Sequence, residues 1–176
     1  MSKQAKALSS LEFSAALEVK GVNFYLKLAQ KSANALTKKL FYSLAVEEVI
    51  HAQKIDEMYG IINNENKGSV SFPKNMPKIE ATLKEFFRKA NKPALKKEAA
   101  NISGYETAME LEKKSYKIYS DFSKKANSAA EKKFFEFLMN EEKGHLEALM
   151  NVYRYLTQPG DWMAEEEGKV WNWMNT

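Results

Sequence analysis

The chain contains two copies of one pattern, and that duplication restricts its fold more than any other feature. Ser9 to His51 aligns without a gap on Ser103 to His145, an offset of 94 residues at which 15 of 43 positions are identical. The identities include Tyr25 with Tyr119 and the pair Glu47, Glu48 with Glu141, Glu142. Within each copy a glutamate is followed 30 residues later by Glu-x-x-His: Glu18, Glu48 and His51 in the first, Glu112, Glu142 and His145 in the second. The fold has to use one unit twice and give both sets of three residues comparable surroundings.

Each unit reads as a pair of helices. With 7 Gly and 4 Pro in 176 residues, and 44% hydrophobic content, the composition suits long helices around one sizeable core. Ser9 with Glu12, and Ser103 with Glu106, have capping-box spacing, which predicts helix starts at those serines. The first helix then runs to about Ser32, with Leu11, Ala15, Glu18, Val22, Tyr25 and Leu28 on one stripe. The second spans roughly Ala35 to Ile62, with Phe41, Leu44, Glu48, His51, Ile55 and Met58 on its stripe. The third, from about Gly104 to Lys125, aligns Tyr105, Met109, Glu112, Tyr119 and Phe122, and the fourth, from about Ser128 to Leu156, aligns Phe135, Leu138, Glu142, His145, Leu149 and Val152.

Between the halves, Asn63, Asn64, Gly68, Pro73 and Pro77 are turn and breaker signals, followed by an expected short helix from Ile79 to about Ala90. That connection is long enough to cross the bundle. Pro159 and Gly160 are expected to end the fourth helix. The chain so divides into an all-α bundle over residues 1–157 and a tail over 158–176 whose Trp162, Trp171 and Trp173 are expected to pack on the bundle or on a neighbouring subunit.

Composition also excludes several chemistries. The absence of cysteine removes disulfides, thiolate zinc and iron-sulfur sites and a cysteine nucleophile. No apolar run approaches the roughly 18 residues of a membrane span or forms a signal-peptide core, so a cytoplasmic location away from membranes is expected. The net charge of +4 comes almost wholly from lysine, with arginine only at Arg88 and Arg154. Direct base readout favours guanidinium groups, and scattered lysines fit a solvated face, so no nucleic-acid partner is expected.

Spacing brings the candidate ligands to one height. If the first two helices fold back near Asn34, Glu18 lies 16 residues before the turn and Glu48 lies 14 after it, roughly 24 and 21 Å along the helices. The offset gives the second hairpin the same arithmetic about Ser128, so hairpins paired with heights matched bring four carboxylates and two imidazoles together. Unpaired carboxylates in a core repel one another or take up protons. Two divalent cations resolve that conflict: about four negative charges meet four positive ones, with carboxylates bridging the ions. Glu and His without Cys suit iron or manganese, and zinc is also compatible. One Glu-x-x-His alone is weak; two copies, each with a matched upstream Glu, are strong.

Seven neighbouring residues carry alternative readings. Glu47 and Glu141 also precede a His and compete for the ligand role; the stripe favours Glu48 and Glu142, which leaves the other pair towards solvent or the surroundings of the ligands. Tyr25 and Tyr119 lie seven residues after Glu18 and Glu112. Each phenol is read as core packing with a satisfied hydroxyl, as a hydrogen bond to a metal carboxylate, or as a one-electron donor. Gly21 and Ser115 either leave room beside the metals for an exogenous ligand or serve close helix packing, and the same choice applies to Gly144.

One Glu followed by Glu-x-x-His, repeated over four helices, resembles the ferritin-like di-iron carboxylate proteins. Within them, Leu17 to Leu28, Ala45 to Ile55, Ala108 to Tyr119 and Asn140 to Leu149 are most similar to the rubrerythrin family. The resemblance implies an all-α, ferritin-like four-helix bundle of two helical hairpins with a long crossover. It implies two iron ions held by Glu18, Glu48, His51, Glu112, Glu142 and His145, and an oxidoreductase that reacts them with hydrogen peroxide or dioxygen. Glu48 and Glu142 would bridge, and a homo-oligomer, with a dimer favoured, is expected. Two departures stand out. This chain holds none of the cysteines of a rubredoxin domain, so electrons come from a separate donor protein, a small reductant or Fe²⁺ as substrate; and Ser115 stands where many rubrerythrins have an additional ligand Glu. The alternatives to a peroxidase or ferroxidase are an iron-storage cage subunit and a non-enzymatic metal-binding helical module.

Overall fold

The computed structural model describes residues 2–63, 70, 79–89 and 102–160. They form five helices: α1 (Lys3–Lys31), α2 (Ala35–Ile62), α3 (Ile79–Lys89), α4 (Ile102–Lys125) and α5 (Ala129–Thr157). No strand occurs among the described residues, and none of their helices is long and apolar enough to cross a membrane. The architecture is an all-α, ferritin-like bundle, with α1 packed along α2 and α4 along α5. Trp162, Trp171, Trp173, Asn64, Gly68, Pro73 and Pro77 lie outside the described residues.

The hairpin turns follow from their caps. Asn34 Oδ1 accepts from the Leu36 amide at 2.8 Å and starts α2. Ser128 Oγ accepts from the Glu131 amide at 3.1 Å and starts α5, while Glu131 reaches back to the Asn127 amide at 2.6 Å. The expected starts at Ser9 and Ser103 are not where those helices begin. The helix-entry group of α1 is Ser2, whose Oγ accepts from the Ala5 amide. Ser9 lies a further two turns inside on an exposed face, and Ser103 is already helical, its carbonyl accepting from Thr107 Oγ1 at 2.9 Å. Ser-x-x-Glu suits an exposed helical face as well as a cap, and spacing alone does not separate the two.

Antiparallel placement of α1 and α4 forces the long connection to traverse the bundle. Gln4 Nε2 donates to the Ile62 carbonyl and Asn127 Nδ2 to the Lys3 carbonyl, which sets the start of α1 beside the ends of α2 and α4. At the other end, Gly104 of α4 approaches Leu28 of α1 so closely that a Cβ there would lie 2.8 Å from Leu28 Cδ2. The chain therefore leaves α2 at one end and re-enters α4 at the other. On that path α3 lies over α2 and α5: Ile79, Leu83 and Phe86 are buried, Ser43 and Thr82 share a hydrogen bond, and Phe86 and Phe87 set their edges against Tyr155.

Two apolar clusters hold the bundle. Around Tyr25 and Phe41 lie Leu40, Leu44, Tyr105, Leu149 and Val152; around Tyr119 and Phe135 lie Leu11, Ile55, Met58, Phe134 and Leu138. The repeat appears in both: Tyr25 stacks on Phe41 and Tyr119 on Phe135, each pair with ring centroids 6.2 Å apart. Each such side chain contributes roughly 1.5–3 kcal/mol on burial, so the bundle has apolar ballast to tolerate buried polar groups between the clusters.

The two hairpins differ on their outer faces. Val19 and Leu26 of α1 and Tyr42, Val46 and Val49 of α2 are 36–52% exposed. Their equivalents in the second copy are Lys113, Ser120, Glu136, Asn140 and Lys143. The first hairpin exposes more large apolar side chains than the second, where Tyr116 and Met150 are the exposed ones among the described residues.

Candidate metal centre

All six residues of the repeated pattern meet between the clusters. Glu18 comes from α1, Glu48 and His51 from α2, Glu112 from α4, and Glu142 and His145 from α5. None is more than 3% exposed. Their donor atoms form two groups, each within 4.8 Å: Glu18, Glu48, His51 and Glu142 in one, Glu48, Glu112, Glu142 and His145 in the other. Glu48 and Glu142 belong to both. The imidazoles lie nearly parallel, with centroids 5.4 Å apart.

Both histidines turn Nδ1 towards the carboxylates. His51 Nδ1 lies 3.5 Å from Glu18, 3.6 Å from Glu142 and 3.7 Å from Glu48. His145 Nδ1 lies 3.2 Å from Glu48 and 3.7 Å from Glu112. Neither Nδ1 has a hydrogen-bond partner, and Glu112 Oε2 and Glu142 Oε1 lack one too. Buried polar atoms are ordinarily paired, so orphans converging from three helices call for something else to satisfy them. Oxygen and imidazole donors without sulfur fit iron or manganese.

Electrostatics describe the same conflict. Burial, followed by the charge of Glu48, pushes the Glu18 carboxyl up to about 8. Burial with the charges of Glu48 and Glu112 raises Glu142 well above the carboxylate range. Burial opposes the charge on Glu48 as well, but contacts with Glu18, His145 and His51 outweigh it and hold that carboxyl low. Both histidines are raised despite burial, because carboxylates surround them. Without cations, Glu48 is held ionised while Glu18, Glu142 and both imidazoles are pushed towards keeping a proton.

The tyrosines cross between hairpins. Tyr25 of α1 donates to Glu112 Oε1 of α4, and Tyr119 of α4 donates to Glu18 Oε1 of α1. Burial and then the nearby carboxylate raise both phenols well above their usual range. They are neutral donors that fix one oxygen of each carboxylate, and the other oxygen of Glu112 is left without a partner.

Sequence reasoning treated Glu47 and Glu141 alike, but they part company. Glu47 is 3% exposed with its Oε2 3.0 Å from His145 Nε2, whereas Glu141 is half-buried. A cue was the break in the repeat beside the histidines, Ser43 in one copy and Phe137 in the other. Gly21 serves packing: a Cβ there would sit 3.2 Å from Glu48 Cδ, so the space belongs to that carboxylate. A Cβ at Gly144 would meet nothing within 4 Å, so close packing does not account for that glycine.

A bundle of two helical hairpins whose facing helices supply paired carboxylates and histidines defines the ferritin-like class of metal-centre proteins. The rubrerythrin family model matches residues 9–153, which takes in all four long helices and all six cluster residues. The chain belongs to the rubrerythrin family. No curated protein and no solved structure matches it.

Proposed function

We propose that the protein is a di-iron oxidoreductase that oxidises Fe(II) or reduces hydrogen peroxide or dioxygen. Glu18 and His51 would hold one ion, Glu112 and His145 the other, and Glu48 and Glu142 would be shared. The observation that carries this reading is the overlap of the two donor groups in Glu48 and Glu142. When bound, paired iron supplies two electrons to an oxidant.

The chain's own residues set the conditions for that chemistry. Burial of all six side chains excludes bulk water and strengthens their electrostatic interactions. Tyr25 and Tyr119 hold their phenolic protons and orient Glu112 and Glu18. A further proposed role for them is one-electron donation. None of the 176 residues is a cysteine, so none can supply a rubredoxin-type iron site. Electrons would come from a separate donor protein, a small reductant or Fe(II) as substrate.

Anaerobic loading with Fe(II), metal analysis on the same sample, and rapid mixing with H₂O₂ or O₂ test the proposal. Two irons per chain oxidised faster by peroxide support a peroxidase. Faster reaction with O₂ and uptake beyond two irons support a ferroxidase or storage protein. A chain that takes up no iron defeats the proposal.

The exposed apolar side chains of α1 and α2 support a homodimer. A two-fold interface requires one self-complementary patch on each copy, and the exposed apolar side chains of the first hairpin, more numerous than those of the second, would supply it. Sedimentation velocity is expected to give a dimer for the native chain and a monomer for Val46→Lys. A native monomer would reject this assembly.

A further inference from the structure

The sequence repeat predicts the same surroundings for both histidines, and the surroundings differ. His145 is tethered on its outer side: Nε2 lies 3.0 Å from Glu47 Oε2, and both residues are buried. The repeat places Glu141 in the matching relation to His51. Yet Glu141 is half-buried, and His51 Nε2 is buried with no hydrogen-bond partner among the described residues. The Phe137 ring stands perpendicular to the His51 ring, at a centroid distance of 6.4 Å and an interplanar angle of 85°.

That difference bears directly on how well each ring can bind a cation. To offer its Nδ1 lone pair, an imidazole must carry its proton on Nε2. A carboxylate accepting that proton's hydrogen bond fixes the tautomer, holds the ring plane and makes Nδ1 more basic. His145 has such a carboxylate. The tautomer of His51 that exposes Nδ1 would instead bury an Nε2 N–H with no acceptor among the described residues, which disfavours it.

Building on the dinuclear reading, we infer that Glu47 is a positioning residue that makes the two metal positions unequal. The position built on Glu112 and His145 binds a divalent ion more tightly and fills first. The position built on Glu18 and His51 fills second. Carboxylate partners of ligand histidines are typically worth about 10–100-fold in metal affinity, and a gap of that size between the two positions is expected.

Anaerobic titration of the metal-free chain with Mn(II), followed by calorimetry and electron paramagnetic resonance, reads this without turnover. The native protein should take up two ions in two steps about 10–100-fold apart, with a mononuclear Mn(II) signal accumulating at one equivalent and falling as the second ion couples to it. Glu47→Gln keeps the side chain's size and removes its charge. It should weaken the first step by at least tenfold, merge the two steps and suppress the mononuclear signal. Glu141→Gln should leave both steps unchanged. Circular dichroism verifies the fold of each variant, and if Glu47→Gln does not fold, the native two-step titration and Glu47→Asp, which keeps the charge and should retain two steps, decide the matter. Two equal steps in the native chain, or two unequal steps that Glu47→Gln leaves in place, would overturn the inference and leave the dinuclear centre standing. No uptake of Mn(II), Fe(II) or Zn(II) would overturn both.

Discussion

Glu48→Ala is expected to abolish stoichiometric metal binding at both positions, taking the chain from two ions to none. Glu48 belongs to both donor groups and is the carboxylate that the others keep ionised, so its loss removes a ligand and a charge from each position at once. Glu18→Ala touches one group only and is expected to leave one ion. His51→Ala should behave like Glu18→Ala. Helix content by circular dichroism should change little in all three, because the apolar clusters on either side do not depend on the cluster's charges. Equilibrium dialysis with metal analysis measures the outcome, and two ions retained by Glu48→Ala would end the assignment.

The second large effect is a change in the sign of the pH dependence of stability. In the metal-free chain Glu18 is raised from 4.5 to about 8, so the folded state keeps a proton that the unfolded state has released. Stability from such a group is complete below pH 4.5 and lost as pH rises through about 8. Glu142, His51 and His145 are shifted the same way. Glu48 is shifted downwards; its contribution is present above 4.5 and does not change at higher pH. Between pH 6 and 8.5 only the raised groups act, and from Glu18 alone the metal-free protein is expected to lose about 2–3 kcal/mol, or roughly 5–10 °C in Tm. Metal binding displaces those protons, so affinity rises with pH. Protein saturated at about 1,000 times Kd gains about 4 kcal/mol per site, and its melting temperature should hold or rise over the same interval. Melting curves with and without Mn(II) at the two pH values decide the point; parallel declines would show that the cluster does not take up metal. Glu18→Gln should flatten the metal-free decline, since it removes a raised group.

Much of this architecture was legible in the sequence because two independent signals agreed on it. Asn34 and Ser128 cap α2 and α5 where turn chemistry places them, and helical periodicity put Glu18, Glu48, His51 and their equivalents on the stripes that face the interior. The start of α1 was misplaced because Ser-x-x-Glu also suits an exposed helical face, and Ser2 supplied the cap instead. The asymmetry beside the histidines was hidden for a different reason. A repeat assigns equal environments to equivalent residues, and the environment of Glu47 or Glu141 depends on the neighbour it faces across the bundle. The role of Gly21 was equally obscure, since the group it accommodates belongs to another helix.

Each donor group takes three members from one hairpin and a single glutamate from the other: Glu142 joins Glu18, Glu48 and His51, and Glu48 joins Glu112, Glu142 and His145. Contacts inside a hairpin close early in folding because they are near in sequence, while those between hairpins bear the entropy of a long loop. Three of four donors for an ion thus become available on either hairpin before the two halves dock, and the exchanged glutamates complete the sets only at docking. The cluster is a reciprocal clasp, and under the proposed di-metal reading removal of the ions is expected to loosen the joint between the hairpins before it loosens either hairpin.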